Sequence, residues 1–242
     1  MVEEYHKWYS GRIGQEYELL TFGTAGVPLL LFPTSKGTFY QYKDFGLIKA
    51  LATYIETQKI KVYCLSSYDA ESWYNTAVHP AQRVQNHIIF DDLVLNEVVY
   101  RAKFETHHKK VMVAGCSMGG FHAINFAFRH PDEVSYAFSM SGLFDNRMFL
   151  DGYYDQNAYY NNPIDFMSNL GDGWFMQHIQ QMGIVLGVGE NDFCKSSNFA
   201  LANILQHKKI AHWLDVKHNG EHDWGFWLEA LPYYLSTIKW EK

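Results

Sequence analysis

The stretch Val111-Met-Val-Ala-Gly-Cys-Ser-Met-Gly-Gly120 decides the fold. Its first four residues are apolar, and a short apolar run of this kind suits a buried strand. The run from Met118 to Arg129 reads as a helix, closed by His130-Pro131. Between them lies Gly115-Cys116-Ser117-Met118-Gly119, a G-x-S-x-G. That pattern in a strand–turn–helix setting is a nucleophile elbow. The turn is tight enough to strain the backbone of the apex residue. Side chains two positions to either side would collide with the neighbouring strand and helix. Gly115, Gly119 and Gly120 supply the room. Ser117 Oγ is then expected above the sheet at a helix N-terminus, where the dipole and free N–H groups favour developing negative charge. The Met118 N–H is placed to be one oxyanion donor. Cys116, one residue before the apex, points into the core.

Outward from this segment, strands and helices alternate. Strands are expected near Glu3–Tyr9, Tyr17–Phe22, Pro28–Phe32, Lys61–Ser67, Val134–Met140, Gly183–Val188 and Ala211–Val216. Helical spacing predicts helices over Tyr40–Thr57, Pro80–Phe104, Ser196–His207 and Trp224–Ile238. This order implies an α/β fold: a mostly parallel central sheet with helices on both faces and an antiparallel N-terminal edge. With 242 residues, the chain reads as a single domain over 1–242. The segment 143–173, rich in Asn, Asp, Gly and Tyr, is too long for an ordinary connection and reads as a small cap or loop insertion.

Composition narrows the function. The net charge of −6 and the scattering of the 20 basic residues argue against a nucleic-acid-binding face. No apolar run reaches the roughly 18 residues of a membrane span, and Met1–Lys7 lacks a leader pattern, so no membrane partner is expected. Cys64, Cys116 and Cys194 are too few and too far apart for a disulfide framework or a paired zinc site. Reduced thiols in a cytoplasmic protein are the simpler reading. No metal or cofactor is expected. Aromatic residues make up 17% of the chain, an excess that needs a reason.

A lone serine is a weak nucleophile; it needs a base, and the base needs an orienting acid. In this setting the chain order is serine, acid, histidine. The strand Gly183–Val188 runs into Gly189-Glu190-Asn191-Asp192, which puts a carboxylate on the rim that carries the elbow. Asp192 is the expected acid and Glu190 its rival. After the last strand comes His218-Asn-Gly-Glu-His222-Asp-Trp; His222, just before the closing helix, is the expected base, and His218 the fallback. The second oxyanion donor is expected in Pro33-Thr34-Ser35-Lys36-Gly37, first Thr34 N–H, then Ser35 N–H.

The segments AGCSMGGFHAINFAFRHPDEV (114–134), GVGENDF (187–193) and NGEHDWGFW (219–227) resemble the esterase D-like enzymes of the putative esterase family, in the α/β-hydrolase superfamily. GVPLLLFPTSKG and KDFGLI (26–48) fit it more loosely, with Phe32-Pro33 where an HG pair is usual. The resemblance implies Ser117 as nucleophile, His222 as base and Asp192 as acid.

The expected activity is serine carboxylesterase hydrolysis of short-chain esters through an acyl-enzyme, with a small-molecule ester as partner. An acyltransferase or thioesterase on the same residues, and a catalytically silent binding module, are the alternatives. Trp73, Tyr74 and Trp224 are expected to line the substrate pocket. Tyr153, Tyr154, Tyr159 and Tyr160 are candidates to join them.

Overall fold

The computed structural model describes residues 1–240. Eight strands form one sheet in the order β1-β2-β4-β3-β5-β6-β7-β8. They are β1 (Glu3–Ser10), β2 (Gln15–Phe22), β3 (Val27–Phe32), β4 (Ile60–Leu65), β5 (Val111–Cys116), β6 (Val134–Met140), β7 (Gly183–Gly189) and β8 (Trp213–Lys217). The first two strands pair antiparallel and β2 joins β4 antiparallel. Every pairing from β4 through β8 is parallel. The helices are α1 (Gln41–Asp44), α2 (Leu47–Ala50), α3 (Ala52–Glu56), α4 (Pro80–Leu93), α5 (Tyr100–Thr106), α6 (Met118–Arg129), α7 (Gln156–Tyr160), α8 (Pro163–Asn169), α9 (Trp174–Ile179), α10 (Lys195–His207) and α11 (Trp224–Thr237).

Both faces of the central strands are buried, and the two-residue period of a strand sorts its side chains between two cores. Leu30, Phe32, Val111 and Val113 face one side, with Phe90 and Leu93 of α4, Ile124 and Ala127 of α6, and Leu201 and Leu205 of α10. Leu29, Leu31, Met112, Ala114 and Cys116 face the other, with Tyr42, Leu47 and Ile55 of α1 to α3 and Trp227, Leu231 and Tyr234 of α11. Because β3 and β5 are central and covered on both sides, their C-terminal ends are firmly held. Those ends carry the loop at Pro33 and the elbow at Ser117.

Two helical expectations need correction. Tyr40–Thr57 is not one helix but three single-turn pieces: Gly46, with a left-handed φ of 91°, separates the first two, and Leu51, at φ −89° and ψ 1°, leaves helical geometry between the second and third. Pro80–Phe104 runs on to Thr106, with Val94–Val99 wound as a π-helix. That wider stretch includes Glu97, which accepts from Trp8 Nε1 (2.5 Å) and Ser10 Oγ (2.7 Å) on β1. The segment 143–173 holds three short helical pieces joined by turns: a 3₁₀ turn at Arg147–Phe149, then α7 and α8.

Candidate active site

Ser117 stands between β5 and α6 with φ 57° and ψ −122°. That region is sparsely populated by residues with a Cβ, and such strain costs about 1–3 kcal/mol and persists only where surroundings enforce it. The enforcement is visible. Ser117 N–H donates to Met140 O on β6 at 2.8 Å. A Cβ on Gly115 would overlap the backbone of Gly119, one on Gly119 would lie 2.5 Å from Pro33 O, and one on Gly120 would lie 2.5 Å from Ser139 Oγ. Gly115 and Gly119 are therefore required by close backbone approach, and at Gly120 the Ser139 side chain fills the space.

The structure brings Ser117, His222 and Asp192 into one line. His222 Nε2 lies 2.9 Å from Ser117 Oγ, and His222 Nδ1 lies 2.9 Å from Asp192 Oδ1. With an ionised carboxylate, Nδ1–H donates to Asp192 and Nε2 accepts the Ser117 hydroxyl proton. The Asp192 side chain is fully buried (0% exposed). Burial works to raise its carboxyl pKa, but the bonds from His222 and the Cys194 N–H outweigh it, and the group sits below its ordinary value. The rivals pair elsewhere: Glu190 Oε2 holds His218 Nδ1 at 2.7 Å and accepts Asn219 N–H at 3.1 Å, both on the exposed rim. Asp192, Cys194 and His222 also place three potential metal-ligand atoms within 4.8 Å of one another. Burial pushes the Cys194 thiol up to about 12, so a thiolate ligand is costly there.

In the loop after β3, the amides of Pro33–Gly37 can be assigned one by one. Thr34 N–H donates to Gln41 Oε1 at 2.9 Å, Lys36 N–H to Asp69 Oδ2 at 3.0 Å and Gly37 N–H to Thr34 O at 2.8 Å. Pro33 has no N–H. Ser35 N–H and Met118 N–H have no acceptor among the described residues. Thr34 N–H, the amide expected first, is thus engaged by Gln41, and within Pro33–Gly37 the amide without an acceptor is that of Ser35, the one expected second.

The cleft over Ser117 has a volume of about 320 Å³ and is lined by Thr34, Ser35, His222, Asp223, Trp224 and Trp227. Trp224 is where it was expected. Tyr74 reaches the rim, its hydroxyl 2.8 Å from Ser35 Oγ. Trp73 does not line the cleft. It is 1% exposed and packs on Phe121, His87 and Phe149 beneath the surface, because its ring fills a small core between α4 and α6. The four tyrosines also lie elsewhere: Tyr153 packs on His79, Tyr154 bonds Asp165, and Tyr159 and Tyr160 border a separate cavity with Phe128 and Arg129 at the far end of α6. Sequence reading missed Phe193, 75% exposed and stacked on the His222 ring at 4.1 Å, and Trp227, edge-on to that ring at 5.1 Å. It also missed Gln41 and Asp69, which no motif marks. Phe193 alone had a signal, as a large apolar residue directly after Asp192.

Sheet order, strained elbow and hydrogen-bonded Ser–His–Asp line together define an α/β-hydrolase. The model of the putative esterase family matches residues 61–238, and the chain belongs to that family. It is a serine hydrolase of the carboxylesterase class. No curated protein matches it in sequence. Among solved structures, a ferulic acid esterase is similar at 15% identity with a TM-score of 0.77, covering 97% of this chain and 96% of that one. An S-formylglutathione hydrolase from Agrobacterium tumefaciens is similar at 11% identity and a TM-score of 0.73, covering 97% and 93%. Another from Staphylococcus aureus is similar at 17% identity and a TM-score of 0.68, covering 97% and 95%. Among the described residues, no helix is long and apolar enough to cross a membrane.

Proposed function

We propose that the protein hydrolyses short-chain carboxylic esters of small molecules, with Ser117 as nucleophile, His222 as general base and acid, and Asp192 as the group that orients His222. The observation that carries this reading is the unbroken hydrogen-bond line from Ser117 Oγ through His222 to Asp192. His222 Nε2 takes the hydroxyl proton as Oγ adds to the ester carbonyl. The carbonyl oxygen becomes an oxyanion held by Met118 N–H and Ser35 N–H. The intermediate collapses, the C–O bond to the alcohol breaks, and His222 gives its proton to the leaving oxygen. Water, deprotonated by the same nitrogen, then adds to the acyl-enzyme and releases the acid and free Ser117. The small, open cleft supports short acyl groups, and its Trp224 and Trp227 walls suit uncharged esters. The three buried free cysteines support a reducing, cytoplasmic setting.

The test is a panel of p-nitrophenyl esters from acetate to decanoate on wild type and Ser117→Ala. The kcat/KM of wild type should be highest at the short end. Ser117→Ala should keep its circular dichroism and lose turnover by about a thousandfold or more. Wild-type turnover in that variant would refute the assignment.

A further inference from the structure

We propose that Gln41 and Asp69 are positioning residues that set the oxyanion loop: they occupy the amides of Thr34 and Lys36 and leave Ser35 N–H as the donor that Pro33–Gly37 offers to the developing charge. The inference rests on the hydrolytic reading above. Gln41 grips Thr34 at two points, accepting its N–H at 2.9 Å and donating Nε2–H to its Oγ1 at 2.8 Å. This approach is possible because residue 37 is glycine; a Cβ there would lie 2.5 Å from Gln41 Oε1. Lys36 has a φ of 55°, in the left-handed region that a residue with a Cβ occupies at a cost. Its N–H is held by Asp69 Oδ2.

Asp69 has a second partner that gives the arrangement its meaning. It is fully buried (0% exposed), and its other oxygen accepts from His122 Nε2 at 2.8 Å. A buried carboxylate is costly unless its oxygens are paired. Here one partner is the loop that carries Ser35, and the other sits on α6, the helix whose first residue is Met118. Asp69 therefore ties the element bearing one oxyanion donor to the element bearing the other. Gly119 completes the join, since only a residue without a Cβ lets α6 lie against the carbonyl groups of Phe32 and Pro33. Donors of this kind act only when aimed at the place where charge develops, so their spacing governs the rate rather than substrate binding.

The experiment measures steady-state kinetics on p-nitrophenyl acetate, and affinity for butylboronic acid, which forms a tetrahedral adduct on the serine. In Gln41→Ala and Asp69→Ala, kcat should fall about tenfold or more while KM stays within about twofold, and boronic acid affinity should fall in parallel with kcat/KM. Gln41→Glu should recover kcat to within about threefold of wild type, because its carboxylate can accept both the N–H and the hydroxyl proton of Thr34. A role in stability alone would lower the melting temperature without this kcat-specific loss and rescue. Wild-type kcat and boronic acid affinity in folded Gln41→Ala, or a loss confined to KM, would overturn the proposal. If Asp69→Ala fails to fold, the two Gln41 variants decide the matter. Failure of the hydrolytic reading shows separately, as absence of fluorophosphonate labelling at Ser117 in wild type.

Discussion

At the residue scale, His222, the proposed base, is held by three neighbours. Phe193 covers one face of the His222 ring, Trp227 meets it edge-on, and Asp192 takes its Nδ1–H. Trp227 is itself fixed, its Nε1–H donating to Ser141 Oγ at 2.9 Å. The imidazole can thus keep one tautomer and one orientation, with Nε2 toward Ser117. Replacing Asp192 by Asn tests this directly. An amide that presents Nδ2–H to Nδ1 forces the proton onto Nε2, which can then no longer accept from the serine. Asp192→Asn should lower kcat by about 10³–10⁴-fold with little change in melting temperature. Glu190→Gln, which disturbs the exposed pair with His218 and keeps an amide oxygen to accept Asn219 N–H, should leave kcat within about twofold, since surface pairs contribute little. Steady-state kinetics on the two variants separates acid from rival; equal losses in both would reject Asp192 as the orienting group.

At the element scale, the elbow and the loop facing it meet at two strand ends and one helix. The β3 and β5 strands are adjacent and parallel, pairing Phe32 with Gly115, so the loop at Pro33 and the elbow at Ser117 leave the sheet side by side. Helix α6 then crosses directly against the Phe32 and Pro33 carbonyls at Gly119. Gly119→Ala should therefore cost about 1–3 kcal/mol of stability from overpacking, a drop of roughly 2–10 °C in melting temperature, together with a loss of kcat because the displaced carbonyls lead into Ser35. Gly11→Ala, where a Cβ meets nothing within 4 Å, is the matched control for calorimetry and should change neither quantity. This scale also marks what the sequence made readable. The elbow, the eight strands and the residues of the Ser–His–Asp line are carried by local signals: apolar runs bounded by turns, two glycines around a serine, a carboxylate and a histidine just past strand ends. The Tyr40–Thr57 region misled because its apolar spacing is helical while Gly46 interrupts the backbone. Trp73 misled because position after a strand says nothing of which way a ring packs. The free amide of Ser35 was not readable, since it depends on Gln41 and Asp69 claiming its neighbours, and Asp69 reaches Lys36 across 33 positions of sequence.

At the scale of the whole molecule, the aromatic excess serves two structures. Phe193, Trp224, Trp227 and Tyr74 gather at the site, while Trp73, Phe121, Phe90 and Phe32 form a dense aromatic wall around the buried histidines His87 and His122 under α6. That wall makes the fold sensitive to acid. Burial, reinforced by the neighbouring His122, pushes His87 down to about 3. Its Nε2 accepts from Asn125 Nδ2 at 3.1 Å, which requires an unprotonated nitrogen. The unfolded chain takes up a proton at His87 near the ordinary value of about 6.5, whereas the folded protein refuses it until about pH 3. The unfolded state thus binds more protons across that window, so stability is full above about pH 6.5 and declines as pH falls, at a slope of up to about 1.4 kcal/mol per pH unit. His6, half-buried and lowered by burial and by Arg101, adds to the same slope. The carboxylates Asp91 and Glu105, both held below their ordinary values, contribute only at lower pH. Urea denaturation at pH 7.5, 6.5, 5.5 and 4.5 should show the midpoint steady between the first two and falling through the last two. His87→Gln, which keeps an acceptor for Asn125 but cannot take a proton, should flatten that fall without altering the midpoint's dependence on pH above 6.5. An unchanged slope in the variant would show that the acid sensitivity of the fold resides elsewhere.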